Sequence, residues 1–150
     1  MIWTPHATVA VVVEKDGKYL LVKEHSSGET VYNQPAGHVE ENESIFDAAI
    51  RETLEESGWQ VELKSVIGLY TYKAPSNGVT YYRICFEATA IERVTELLDK
   101  DIISAHWLSY DEITLLGVQL RSPLVKTCID DFRSNKRYPL SLINESAFKP

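Results

Sequence analysis

The chain is short of several things that common functions need. Its two cysteines, Cys85 and Cys128, stand far apart with no Cys-x-x-Cys and no Cys/His spacing around them, which argues against a zinc site or a disulfide framework. They are expected as two reduced, packed thiols. The longest apolar run, Ala7 to Val13 with Thr8 inside it, is too short for a membrane span and lacks the flanks of a cleavable signal. A cytoplasmic protein that does not enter the membrane is the expectation. Basic residues are outnumbered, 15 Lys and Arg against 22 Asp and Glu for a net charge of −7. Sequence-independent nucleic-acid binding needs a basic face to neutralise phosphates, and is not expected. No Gly-x-Ser-x-Gly string and no P-loop occurs, so neither a covalent serine mechanism nor Walker-type ATP binding is supported.

What is present is ordinary in bulk and unusual in one place. With 150 residues, 44% of them hydrophobic and 25% charged, the chain is expected to form a single domain over 1–150 that buries its own core, without repeats, linkers or low-complexity segments. The unusual place is Gly37 to Trp59, GHVEENESIFDAAIRETLEESGW. Ser44 with Asp47 three residues on reads as an N-cap and Gly58 as a left-handed C-cap, which predicts a helix from about Ile45 to Ser57. At about 100° per residue, Phe46, Ile50, Thr53, Leu54 and Ser57 share one face, and Glu52, Glu55 and Glu56 gather on the opposite one. Ala48 and Ala49 flank that acidic face and are expected to leave room for an approaching group.

Carboxylates at i, i+3 and i+4 repel one another, and those near the C-terminus also oppose the helix dipole. A hard cation such as Mg²⁺, which takes oxygen ligands and commonly bridges carboxylates to substrate phosphates, would offset both effects. Taken alone, the cluster equally describes a solvated helix face. Its surroundings decide between the two. Gly37, five residues, Glu43, seven residues, then Arg51-Glu52-Thr53-Leu54-Glu55-Glu56-Ser57-Gly58-Trp59 resembles the Nudix box, GX5EX7REUXEEXGU with U bulky and apolar, at every position that demands one particular residue. Thr53, at a U position, is the one departure, and its branched, half-apolar side chain can still pack inward.

The rest of the chain reads as strands and short helices around this element. Asp16-Gly17 separates the β-branched run Ala7 to Glu14 from Tyr19 to Lys23, a hairpin signal. Thr30 to Asn33 is extended and leads to Gln34-Pro35-Ala36-Gly37, where Pro and Gly predict a tight turn into the acidic helix. A second hairpin, Val61 to Lys73 and Val79 to Ile91, is joined by Ala74 to Gly78, and its alternation leaves Lys73 or Arg83 able to face phosphates. A further strand runs from Ile102 to Leu108 after the acidic loop Asp99 to Asp101. Ser109 with Glu112 caps a short helix, and Ser122-Pro123 opens the last one, to about Asn135. The tail beyond Pro139 is expected to fray. His38 is the one histidine near the acidic helix and is expected in a supporting or loop role.

Resemblance extends past the box. His6 to Ala10, Asn33 to His38, Leu120 to Val125 and Arg137 to Leu140 are similar, in order, to the strings of the bacterial NudJ-type Nudix phosphatases, so that it covers roughly residues 5 to 143. The resemblance implies an α/β (α+β) fold, an α/β/α sandwich with a mixed sheet. It implies metal-dependent hydrolysis, with Mg²⁺ replaceable by Mn²⁺, of nucleoside tri- and diphosphates, thiamin pyrophosphate and its pyrimidine precursor, releasing orthophosphate. The alternatives are a pyrophosphatase of ADP-sugars or dinucleoside polyphosphates, and a Nudix domain that senses a ligand without catalysis. By position in the motif, Glu56, Glu55 and Glu52 are the expected metal ligands, Glu52 alternatively the water-activating base, and Gly37 the donor of a backbone oxygen. Arg51 is expected to orient the carboxylates, and Glu43 to stand near the helix start. Asp101, with Asp99 as the nearby alternative, is expected to supply a carboxylate from outside the helix, and Arg83 to bind substrate.

Overall fold

A computed structural model describes residues 1–150. The first hairpin forms where Asp-Gly stands: β1 (His6–Lys15) and β2 (Lys18–Ser26) are joined by Asp16 and Gly17 at φ of 53° and 78°, the pair of positive values that a tight two-residue turn requires. Beyond it the two strands splay. They pair at Glu14–Tyr19 and Lys15–Lys18, and each then organises its own part of the sheet. β2 lies between two antiparallel neighbours, β3 (Glu29–Asn33) and β7 (Ile102–Ser109). β1 lies between β4 (Ala36–His38), antiparallel, and β6 (Thr80–Arg93), parallel. β6 pairs along its length with β5 (Trp59–Lys73) in the expected second hairpin. The sheet is therefore mixed, with β4 an edge strand beside β1.

Two helical layers cover the sheet because β1 is apolar on both faces. Val9, Val11 and Val13 point to one side and pack with Phe86, Val66 and with Ala48 and Ala49 of α1 (Ile45–Ser57). Ala10 and Val12 point to the other and pack with Ile113 of α2 (Tyr110–Leu116) and Val125, Cys128, Ile129 and Phe132 of α3 (Pro123–Arg133). Each fully buried Val or Ile contributes about 1.5–3 kcal/mol relative to exposure. The result is the expected α/β/α sandwich. Both cysteines are free and buried, and no helix is long and apolar enough to cross a membrane.

The helix ends follow their sequence signals. Ser44 Oγ accepts the Asp47 N–H at 3.0 Å, and Gly58 at φ 80° donates its N–H to the Leu54 carbonyl at 2.9 Å. Ser109 and Glu112 form a reciprocal capping box, and Pro123 stands in the first turn of α3. Three expectations change. Ala48 and Ala49 are fully buried: their small side chains let α1 approach the sheet, and they do not border an open face. Ala36 to His38 is a strand, because its backbone completes the β1 ladder, where a turn was expected. The tail is tied down. Leu140 and Ile143 pack against the α1-side core, Tyr138 exchanges two backbone hydrogen bonds with Val66 at 2.8 Å, and Glu145 Oε2 accepts the Ile45 N–H at 2.7 Å, satisfying a donor at the start of α1.

Candidate functional site

The short strand β4 positions the site through the alternation of its backbone groups. Hydrogen bonds from Val39 N–H to the Ala7 carbonyl and from Val11 N–H to the Pro35 carbonyl bracket the Val9–Gly37 pair. In an antiparallel ladder this puts Gly37 in the hydrogen-bonded set, its polar groups turned toward β1, and turns those of Ala36 and His38 toward the free edge. α1 lies along that edge. The Ala36 N–H donates to Glu56 Oε1 at 2.9 Å, and Arg51 Nη2 donates to the His38 carbonyl at 3.1 Å. The carbonyl on the helix side next to Glu56 is thus that of Ala36, where Gly37 was expected to supply it. Gly37 matters for a different reason: a Cβ built there would overlap the Glu52 carboxyl group. Its φ is not positive, so the residue is needed for close approach and not for a turn.

Arg51 ties the acidic residues together as expected. Its Nε and Nη2 grip both oxygens of Glu43 at 2.6 and 3.0 Å, and its Nη1 donates to Glu52 at 2.7 Å and Glu55 at 3.1 Å. The fork geometry of a guanidinium makes this possible where a lysine point charge would not. The Glu43 carboxyl is held below its usual range, chiefly by the Arg51 hydrogen bond, and Arg51 is raised in turn by the same bond. Glu43 also accepts the Glu40 N–H at 3.0 Å. It therefore anchors Arg51 and the loop before α1, leaving the remaining carboxylates to converge elsewhere.

Those that converge are Glu52, Glu55 and Asp99, whose oxygens lie within 4.8 Å of one another. Asp99 arrives because its N–H donates to the Glu55 carbonyl at 2.9 Å, stitching the loop to the last turn of α1. Asp101 is not brought in. It is exposed, and its carbonyl instead accepts the His25 N–H at 2.9 Å. Glu56 stands beside the cluster but is buried, 8% exposed, where the helical pattern put it on an open face. Burial, followed by the carboxylates of Glu24, Glu52 and Asp99, pushes its carboxyl up to about 9 against the Ala36 hydrogen bond. Glu52 is raised in the same direction, first by burial. This is a set of hard oxygen donors with like charges forced together, which suits a divalent cation in charge and in ligand type.

On the other side of β4 lies a cleft of about 330 Å³. Ala36, Gly37 and His38 form the wall it shares with the acidic site, and Tyr72, Tyr81 and Arg83 line it from the second hairpin. Arg83 is buried, 7% exposed, and donates to Gln34 Oε1 at 3.2 Å and Asn33 Oδ1 at 3.3 Å. Lys73, the alternative on that hairpin, is exposed. His38 contacts His6 ring to ring, nitrogens 2.9 Å apart, at the cleft wall. Sequence reasoning gave no role to Glu24, Arg121, Asn33 or Gln34. Buried Glu24 pairs with Arg121 at 2.5 Å across 97 positions, a distance no local pattern reports. The string Asn33 to His38 did mark the segment, without saying what its amides touch.

Comparison with known proteins places this arrangement in a family. The NUDIX domain model matches residues 4–128. Phosphatase NudJ of Escherichia coli strain K12 is 40% identical over 143 residues, spanning 94% of this chain and 92% of that protein. A NUDIX hydrolase from Nitrosomonas europaea superposes with a TM-score of 0.92 at 43% identity, covering 94% of this chain and 97% of that one. The NUDIX domain of Shewanella oneidensis NrtR, solved with ADP ribose, shares the fold at a TM-score of 0.72 and 14% identity, covering 89% and 90%.

Proposed function

The chain belongs to the Nudix hydrolase family, and from that membership we propose that it is a metal-dependent phosphatase removing the terminal phosphate of nucleoside tri- and diphosphates and of terminal diphosphates such as thiamin pyrophosphate and its pyrimidine precursor. Orthophosphate is the released product. The observation that carries this reading is the pairing of one acidic cluster with one cleft of about 330 Å³ across β4. That volume lies at the small end of ligand pockets. It suits a single heterocycle better than groups gripped on both sides of a diphosphate.

Glu52, Glu55, Glu56 and Asp99, with the Ala36 carbonyl, are the residues we assign to Mg²⁺ or Mn²⁺. When bound, such a cation neutralises phosphate oxygens and lowers the pKa of a bound water. Arg51 holds the carboxylates of Glu52 and Glu55 in place through hydrogen bonds. Gly37 keeps β4 close enough for Glu52 to sit against it. Glu52 serves as a ligand or takes the proton of the attacking water on a carboxylate oxygen. The apolar wall of Val9, Val11 and Val13 behind the site is fully buried, and close packing of this kind favours fixed separations of the groups it supports.

A substrate panel tests the reading. ATP, ADP, thiamin pyrophosphate, ADP ribose and a diadenosine polyphosphate are incubated with Mg²⁺ and every product identified. Orthophosphate from the terminal-phosphate substrates, with little cleavage of ADP ribose, is the expected result. Pyrophosphate as the direct product from ATP, or preference for the doubly capped compounds, would replace it with the ADP-sugar or dinucleotide reading.

A further inference from the structure

Arg83 is a buried cation without a counter-ion. It donates to the neutral amide oxygens of Asn33 and Gln34, in positions where Asp and Glu, nearly the same shapes, would neutralise it. Burying an unpaired charge is costly unless something else supplies the opposite charge. Nothing in the cleft does: no Asp or Glu lines it, although the chain as a whole carries −7. The other cation of the cleft, Arg121, is already paired with Glu24, so Arg83 is the one left without an opposite charge. Gln34 itself is 1% exposed and its Nε2 has no hydrogen-bond partner, so a second buried donor beside Arg83 is unsatisfied as well.

The register fixes where the missing anion would lie relative to the acidic cluster. Arg83 of β6 pairs with Thr8 of β1, and Thr8 pairs with His38 of β4. Residues directly opposite in adjacent strands share a face, so Arg83, Thr8 and His38 form a row that ends at the edge strand where Ala36 meets Glu56. The row thus joins the buried guanidinium of the cleft to the strand against which the carboxylates sit.

Resting on the phosphatase reading above, we propose that Arg83 is a specificity-determining residue that ion-pairs with the phosphate retained by the product, and that Asn33 and Gln34 are amides in order to leave that cation unneutralised. The ligand class follows: compounds with a phosphate next to the one removed, whose products are monophosphates. A guanidinium presents two parallel N–H groups to phosphate oxygens, which a lysine at this site would not.

The test needs neither metal nor turnover, so its failure is separable from failure of the substrate panel. Binding of AMP and thiamin monophosphate, beside adenosine and thiamin, is measured by calorimetry in the metal-free protein. At least one monophosphate is expected to bind ten-fold or more tightly than its unphosphorylated partner, and Arg83→Gln to abolish that preference while leaving the unphosphorylated compound within about two-fold. Asn33→Asp supplies an internal counter-ion to a folded Arg83. It is expected to abolish the same preference while melting no lower than the wild type. Absence of any preference for a monophosphate in the wild type, its survival in either variant, or a lower melting temperature for Asn33→Asp would overturn the proposal. Should Arg83→Gln not fold, Asn33→Asp decides alone.

Discussion

The two sides of β4 have opposite electrostatic deficits. On the α1 side, Glu52, Glu55, Glu56 and Asp99 crowd together with one guanidinium, Arg51, among them. On the cleft side, Arg83 is buried among amides with no carboxylate in reach. Each arrangement is unfavourable by itself, and elsewhere the chain pairs its charges in the usual way, as Arg137 does with Glu87 at 3.1 Å and Lys126 with Asp130 at 3.1 Å. A local imbalance of opposite sign on the two faces of one strand is what the cation and the phosphate proposed above would each offset.

The largest effect is expected at Glu56. Glu56→Gln is expected to lower kcat by about three orders of magnitude, since a polarising cation contributes several kcal/mol of transition-state stabilisation. It is expected to keep the fold, because an isosteric neutral amide still accepts the Ala36 N–H and removes a charge that burial disfavours. Circular dichroism beside a phosphate-release assay separates the two effects.

Arg51→Lys comes next. It loses the two-point grip on Glu43 and the bridge to Glu52 and Glu55, and a drop of roughly 10–100-fold in kcat/KM follows, the usual cost of releasing metal-orienting groups. A magnesium titration resolves the next step. Asp99→Asn is expected to raise the half-saturating Mg²⁺ concentration by about ten-fold, in the same range, whereas Asp101→Asn leaves it unchanged. Equal effects of the two would return Asp101 to the site.

The metal-free protein gives a pH signature of the acidic side. The Glu56 carboxyl is raised from 4.5 to about 9, so the folded state holds its proton where the unfolded chain has lost it. The stability this contributes is complete below pH 4.5 and declines as pH rises toward about 9. Thermal melts in chelator are expected to fall across that window for the wild type and to flatten for Glu56→Gln. A wild-type melt indifferent to pH there would remove the buried, proton-holding carboxyl from the description. The smallest effect expected is at the helix start. Ser44→Ala removes the cap on the Asp47 N–H and costs about 1 kcal/mol in chemical denaturation, with activity nearly unchanged.

Much of this is legible in the sequence alone, and the part that is not has a physical reason. The limits of α1 follow from Ser44 and Gly58, and the first turn from Asp16-Gly17, because caps and tight turns are settled within a few residues. The Arg51 network was legible for the same reason: Glu52 and Glu55 are its neighbours on one helix. Thr53 and Ser57 of the expected inner face are buried, but the buried arc of α1 is turned further round than the pattern suggests, to take in Ala48, Ala49 and Glu56. Glu56 looked exposed by periodicity, yet β4 packs beside it and buries it, and Ala48 and Ala49 turned inward to let that happen. The choice of Asp99 over Asp101 depended on one backbone bond to Glu55. The Asn33 and Gln34 acceptors of Arg83 lie 50 and 49 positions away from it, beyond any pattern of spacing.

The phosphorus attacked is proposed to be the terminal one, with its neighbour retained on the far side of β4. Hydrolysis of ADP in ¹⁸O-enriched water with Mg²⁺ tests it most directly, since AMP and orthophosphate form whichever phosphorus is attacked. The label is expected in orthophosphate. Label appearing in AMP would mean that water attacks the inner phosphorus, and the assignment of the two phosphates to the two sides of the strand would be contradicted.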